Sequence, residues 1–475
     1  MLFPTITFAI FFTVVFFASW LLMPRFRLWK WFMLGASYFF YAYWDWRYIA
    51  LLVAVTLVNQ ALGVQIARRK TVTGRKALIA LAVAADLGML GWFKFYGFFV
   101  TSAAQFFHVF GLQAPLPLLQ VVLPLGISFL IFRALTYPLD IYRGTLHPAP
   151  TLDFAVYLAF FPVIAAGPIV RASEFLPQLA KPRDPRRLDS SRAFFLIFIG
   201  LAKKMLIADF LATHIVNGVF GTPGQFSSLE VLVGIYAYAV QIYCDFSAYS
   251  DIAIGISLLL GFELPDNFNS PYAALSMQDF WRRWHMTLSR WLRDYLYIPL
   301  GGNRGGPRKT YRNIILTMLL GGLWHGAAWT FVFWGGYHGV GQAVGRYRAQ
   351  LRELRGLPAL PETWPGRLRR RIVTFHLVAI GWVFFRADSF GNAMAVLGRL
   401  FTGLSLHAPA VTLLVVALTA LGIAGQYVPR GLTESAQYAF SRLSPVLQGL
   451  AIAAGLFVLN ALGPQDLAAF LYSKF

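Results

Sequence analysis

The sequence predicts an all-α protein that crosses a membrane many times, on three observations. Of its 475 residues, 58% are hydrophobic and 13% charged, far from the balance of a soluble domain. Mean hydropathy is +0.59. Uncharged runs at 2–23, 48–67 and 411–428 approach the roughly 20 apolar residues that a helix needs to cross a bilayer. A large soluble helical enzyme cannot place so many such runs in series.

The first run, 2–23, has no small-residue cleavage site leading into a polar region, so it reads as a retained span. Basic clusters then punctuate the chain at 24–30, 68–76, 181–192, 304–312 and 346–371, the last with eight arginines, while Arg430 and Arg442 flank a further loop. Lys and Arg number 41 against 20 Asp and Glu, a net charge of +21. In a soluble protein that excess would suggest nucleic acid. In a membrane protein the positive-inside bias accounts for it, and no nucleic-acid partner is expected. Placing every cluster in the cytoplasm requires both termini outside and about ten full crossings.

Two apolar segments, 153–176 and 313–341, then begin and end on one side. Both are rich in Gly or Pro. Non-helical backbone at membrane depth survives only when buried in protein or lining a cavity, so both read as re-entrant or broken helices around a central cavity. With no internal repeat or low-complexity linker, one integral-membrane domain over 1–475 is expected. Its core motifs lie at 240–340, a cytoplasmic basic loop at 343–371, and an extracytoplasmic tail at 464–475. The single cysteine, Cys244, excludes an intramolecular disulfide and a multi-cysteine metal site.

The stretch 276–297 predicts an amphipathic helix lying at the membrane surface. Ser276 and Asp279 form a capping-box start. Phe280, Trp281, Trp284, Leu288, Trp291, Leu292 and Tyr295 share one face, and Arg282, Arg283, Arg290, Arg293 and Asp294 share the other. His285 falls at the edge of the apolar face. The arginines fit two roles, anchoring to anionic lipid head groups or lining a site that attracts a polyanionic thioester donor.

Residues 321–329, GGLWHGAAW, place His325 in an apolar setting. On residues alone, a histidine in a helix bundle more often packs than reacts. Two features favour reaction: Gly321, Gly322, Gly326 and Ala327 leave space for backbone or ligand, and a low-dielectric site favours the neutral imidazole that a general base requires. A metal site is not expected, since no HxxxH or HExxH spacing supports it. His338 falls on the opposite side of an ideal helix from His325, and His108, His147, His214, His376 and His407 sit near helix ends or loops. Asp245, Asp251, Arg133, Asp140 and Asp209 are costly in lipid and should face the protein interior. Asp245 and Asp251 are candidates for lining the cavity or pairing with Arg133, and buried ion pairs that fix helix packing fit equally well.

DNFNSPYAALSMQDFWRRWHMTLSRWLRDYLYIPLGGNR (266–304) and GGLWHGAAWTFVFWGGYHG (321–339) resemble the membrane-bound O-acyltransferases, and most closely their bacterial alginate O-acetyltransferase-like branch. QIYCDFSAYSDIAIG (241–255), AAGPIVRASEFLPQL (165–179) and 122–144 add to the resemblance. It departs at Cys244 and Ala248, where an aromatic and a glycine are expected, and at Val163–Ile164. The resemblance implies acyl transfer from a cytoplasmic thioester to a hydroxyl, with His325 as the catalytic histidine and His285 as the second functional position. The candidates for lining the cavity or substrate site are Trp324, Asp245, Asp251, Asn269, Arg282, Arg283, Trp284 and Arg293.

The expectation is therefore a multi-pass protein of the bacterial cytoplasmic (inner) membrane. It has no permanently bound cofactor, uses acetyl-CoA as donor, and works with a periplasmic SGNH-type acetyltransferase on an exopolysaccharide. An acyl carrier protein, as for the D-alanyl transferase relatives, is the alternative donor. A non-catalytic acyl transporter subunit is the competing class, for which inverted repeats would be the mark. The terminal FLYSKF (470–475) reads from composition as an interfacial aromatic anchor. The resemblance implies more, a carrier role in which Tyr472 accepts the acyl group and delivers it outside.

Overall fold

A computed structural model describes residues 1–112, 119, 121–357, 363–405, 407–463 and 470. The regular elements among the described residues are all helices, without strands. Packing divides the chain into two compact units, Met1–Ala193 with Ala253–Pro265, and Phe194–Ile252 with Asp266–Leu471.

The first unit is built on α1 (Ile6–Leu22), α2 (Phe26–Asp45), α3 (Tyr48–Arg68), α4 (Val72–Val109), α5 (Ile127–Arg143) and α6 (Thr151–Ala159). The Thr5 side chain caps α1 by accepting from the Phe8 N–H. Several buried polar side chains of this unit are hydrogen-bonded to one another, which offsets the cost of burial. Trp29 donates to Ser19 Oγ (2.7 Å), Asn59 to Asp86 Oδ1 (2.9 Å) and Tyr137 to Gln60 Oε1 (2.8 Å). The segment expected to be broken, 153–176, leaves helical geometry at Phe160. It runs irregularly through buried Phe161, Ile164 and Val170. Arg133, fully buried, donates to the Tyr157 carbonyl at the end of that helix, so this non-helical backbone lies inside protein.

The second unit begins within α7 (Ser190–Ala202) and continues through a π turn at Lys203–Ala208. The 32-residue α8 (Ser228–Leu259) runs through it and passes into the first unit at Ala253. Among the described residues, three helices are long and apolar enough to cross a membrane, α3, α4 and α8, or four if the pair bent by 95° at Leu413–Tyr427 and Gly431–Ser441 counts as one span. The best apolar window of α4 is 22% buried within the protein and that of α8 78%. Most side chains in that window of α4 therefore face outward, while most of those in α8 are enclosed by protein.

The amphipathic helix expected over 276–297 is corrected. It is two short helices, α9 (Met277–Trp281) and α10 (Met286–Leu292), followed by a π turn at Arg293–Tyr297. The partition of faces holds: Phe280, Trp284 and Leu288 are buried, while Arg282 and Arg293 are exposed. The apolar face, however, is covered by protein. Trp284 packs on Trp382 at 4.9 Å between ring centroids, and Trp281 on Trp334 at 5.6 Å. An aromatic face finds equally apolar and more closely packed partners there than in lipid.

Next come α11 (Pro307–His325) and α12 (Trp329–Leu354), an antiparallel hairpin turning at Gly326–Ala328. Gly339 approaches Ile315, and Gly335 approaches Met318 and Gly322. The segment 313–341 thus starts and finishes at one end of a hairpin. α13 (Trp364–Arg386) packs on α12 and contributes Trp382 and Phe385 to the aromatic core.

Candidate functional site

His325 is the last residue of α11, placed where the hairpin turns, and is 2% exposed. Its ring meets Trp324 (5.0 Å), Trp334 (5.1 Å) and Phe385 (5.4 Å) edge to face. The surrounding glycines permit close packing of backbone and ring. A Cβ on Gly322 would lie 2.3 Å from the Phe331 carbonyl, and one on Gly335 2.2 Å from the Met318 carbonyl. A Cβ on Gly326 would strike the Phe331 ring at 2.1 Å. Backbone of the facing helix fills the space at Gly322, and the Phe331 ring fills it at Gly326, as small residues permit between closely packed helices.

His285 occupies the joint between α9 and α10 and is fully buried, not at a water-accessible rim. Its φ of 41° places it in the left-handed region, at a cost of about 1–3 kcal/mol for a non-glycine residue. Among the described residues, the other non-glycine residue at positive φ is Ser270, at the far end of the loop that touches this joint. The loop and the joint meet through two backbone hydrogen bonds: Met286 N–H donates to the Asn267 carbonyl and Asn269 N–H to the Arg283 carbonyl, both at 2.9 Å. This pairing holds the strained turn and aims the His285 ring inward. The ring lies 4.7 Å from Phe246, 6.2 Å from Trp324 and 6.5 Å from His325. The two histidines, forty residues apart in sequence, share one aromatic chamber. Burial pushes the His285 imidazole, on a joint outside the three apolar spans, down to about 3, so it is neutral at physiological pH.

The carboxylates of α8 have lysine partners, where the sequence reading looked to Arg133. The π turn lets consecutive lysines both reach α8. Lys203 pairs with Asp251 and donates to Ser247 Oγ (2.9 Å). Lys204 lies 2.8 Å from both Asp245 and Asp209. That triad is at most 5% exposed, and Phe470 packs over the Lys204 ammonium at 4.8 Å. The signal was KK within an otherwise apolar stretch, since a cation there needs a carboxylate.

Among the other predicted residues, Trp324 is buried against both histidines and Trp284 beside Phe268 (5.1 Å). Asn269 contributes its backbone. The Asn267 side chain, not singled out in the sequence, reaches His285 at 3.1 Å. Arg283 pairs with Asp279 (2.8 Å) and Arg293 with Asp294 (2.6 Å). His338, expected to face away from His325, is buried. Trp281 donates to its Nδ1 (3.2 Å), and Trp334 lies against both it (4.9 Å) and His325. His108, His147, His214, His376 and His407 are exposed. Tyr472 lies outside the described residues.

Residues 135–376 match the profile of the membrane-bound O-acyltransferase family. The chain is 42% identical over 373 residues to a probable alginate O-acetylase of Azotobacter vinelandii, covering 78% of this chain and 72% of that protein. It is 37% identical over 400 residues to a peptidoglycan O-acetyltransferase of Helicobacter pylori, covering 78% and 73%. To a teichoic acid D-alanyltransferase of Streptococcus thermophilus it is 30% identical over 280 residues, covering 55% and 68%.

Proposed function

The chain belongs to the membrane-bound O-acyltransferase family, and from that premise we propose that it moves an acetyl group from cytoplasmic acetyl-CoA toward a hydroxyl of an extracytoplasmic polysaccharide. Membership makes it a membrane acyltransferase. The observation that carries the finer reading is the pair of buried imidazoles, His325 and His285, 6.5 Å apart.

In this reading His325 takes the proton from the attacking hydroxyl as its oxygen adds to the thioester carbonyl. The carbon–sulfur bond then breaks, and the departing coenzyme A thiolate receives that proton. General-base help of this kind is worth about 10²–10⁴-fold, and the apolar chamber favours the neutral ring that the step needs. His285 orients the ring or the substrate. Higher identity to the acetyl-transferring relatives than to the D-alanyl transferase favours acetyl as the group carried.

The remaining parts belong to the same proposal: residence in the bacterial cytoplasmic membrane, about ten crossings with both termini outside, and delivery to a periplasmic SGNH-type acetyltransferase. Tyr472 is the acyl carrier of that delivery, its phenol acylated by the His325 centre. Two covalent steps divide a transfer between compartments into two feasible ones. Purified protein incubated with radiolabelled acetyl-CoA tests the chemistry. Label passing to protein or acceptor, and lost in His325→Ala, supports it. Label transfer that persists in His325→Ala overturns it.

A further inference from the structure

The geometry points to Asn267 as a positioning residue whose amide oxygen holds His285 in the Nδ1–H tautomer, leaving the Nε2 lone pair for the reaction. The inference rests on the acyl-transfer role of the histidine pair given above and extends it to a residue that does not touch substrate.

Asn267 is 1% exposed and precedes His285 by 18 residues. Its Oδ1 lies 2.9 Å from Thr287 Oγ1, 3.3 Å from the Thr287 backbone nitrogen and 3.1 Å from His285 Nδ1. Its Nδ2 donates to Ser250 Oγ on α8 at 3.0 Å. Which end of a buried amide is oxygen is set by its neighbours. A backbone N–H can only donate, so the atom facing Thr287 N is the acceptor, and the serine hydroxyl accepts from the opposite end. The imidazole nitrogen facing that same oxygen must then carry the hydrogen. In a neutral ring the other nitrogen, Nε2, holds the lone pair.

Main chain and side chain of Asn267 act together. Its carbonyl accepts from Met286 N–H, the residue after His285, and so restrains the left-handed turn that aims the ring. Phe268, the next residue, packs edge-on against Trp284 (5.1 Å) and Phe246 (5.2 Å), on either side of the histidine. The loop Asp266–Ser270 is therefore a bracket that ties His285 to α8, and the Asn267 side chain is the part of it that sets the proton's place on the ring. His285 enters the chamber as a hydrogen-bond acceptor at Nε2, with no covalent role.

The test uses the full chain purified in detergent with ¹⁵N-labelled histidine rings. The His285 signals are identified by their loss in His285→Asn. The wild type should show Nδ1 protonated and Nε2 unprotonated. Asn267→Ala should release the ring to a mixture of tautomers and lower kcat for acetyl-CoA consumption about 10²-fold, with KM little changed. Asn267→Asp still presents an acceptor, and should keep the Nδ1–H tautomer and recover part of the rate. If Asn267→Ala does not fold, the wild-type and Asn267→Asp spectra still decide the tautomer. A protonated Nε2 in the wild type, or a His285 tautomer indifferent to Asn267→Ala, overturns the inference. A wild type with Nδ1–H that does not consume acetyl-CoA sinks the proposed activity instead.

Discussion

Gly322→Ala adds one methyl group at the place where the α11–α12 hairpin is tightest. That Cβ would sit 2.3 Å from the Phe331 carbonyl oxygen and 2.9 Å from Gly335 Cα, both backbone. To bring the shorter contact out to the 3.0 Å that real Cβ atoms keep, the arms must part by about 0.7 Å. Overpacking of this kind costs about 1–3 kcal/mol, set against about 1 kcal/mol gained from alanine's better helix propensity. Strain wins because a carbonyl on a packed helix cannot swing aside. His325 lies one turn along the same helix, and a displacement approaching 1 Å at a reacting group costs about 10²-fold in rate. Gly321→Ala is the control: its Cβ would meet only Leu292 Cδ1, at 3.1 Å, a methyl that can rotate away. Thermal unfolding in detergent and acetyl-CoA turnover should show Gly322→Ala impaired in both, with Gly321→Ala equal to the wild type or more stable. Equal effects of the two substitutions would refute the account of the hairpin.

Three further outcomes rest on the same geometry. Lys204→Met strands Asp245 and Asp209 in the interior and should cost about 3–5 kcal/mol of stability, partly recovered by adding Asp245→Asn; urea titration that finds no recovery would deny the triad its role. His285 stays neutral in the fold down to about 3, whereas its ordinary value is 6.5. The unfolded chain therefore binds the extra proton between those values, so stability is intact above about 6.5 and falls as pH drops toward 3. His285→Asn should flatten that acid-side loss in pH-dependent melting, and an unchanged slope would contradict it. Tyr472→Phe should abolish acylation of the acceptor in cells while leaving the protein in the membrane, and full acceptor acylation in that variant would eliminate the tyrosine carrier.

Much of the site could be read in the sequence, because the residues that resist a membrane interior announce themselves. His325 among glycines, and Asp245 and Asp251 on an apolar helix, cannot be explained as lipid-facing. The face partition of 276–297 was legible from helical periodicity, but its break was not. Periodicity carries on through a joint that adds a single left-handed residue, and nothing about His285 itself announces a positive φ. Whether Trp284 faces lipid or protein was also hidden, since either setting satisfies an apolar ring. The Lys203 and Lys204 pairs needed the knowledge that a π turn presents both to α8. DNFN carries two asparagines, and the backbone hydrogen bonds that join residues 267–269 to 283–286 and set the Asn267 side chain beside the histidine have no signature in the sequence.

The central claim is that His325 and His285 act as one acyl-transfer centre. It is tested most directly by the rate of coenzyme A release from acetyl-CoA in the wild type, His325→Ala, His285→Ala and the double variant. Residues that act as a unit are non-additive, so His325→Ala should lose about 10²–10⁴-fold and the double variant should be no slower. A His325→Ala protein that keeps the wild-type rate, or two losses that simply multiply, would contradict it.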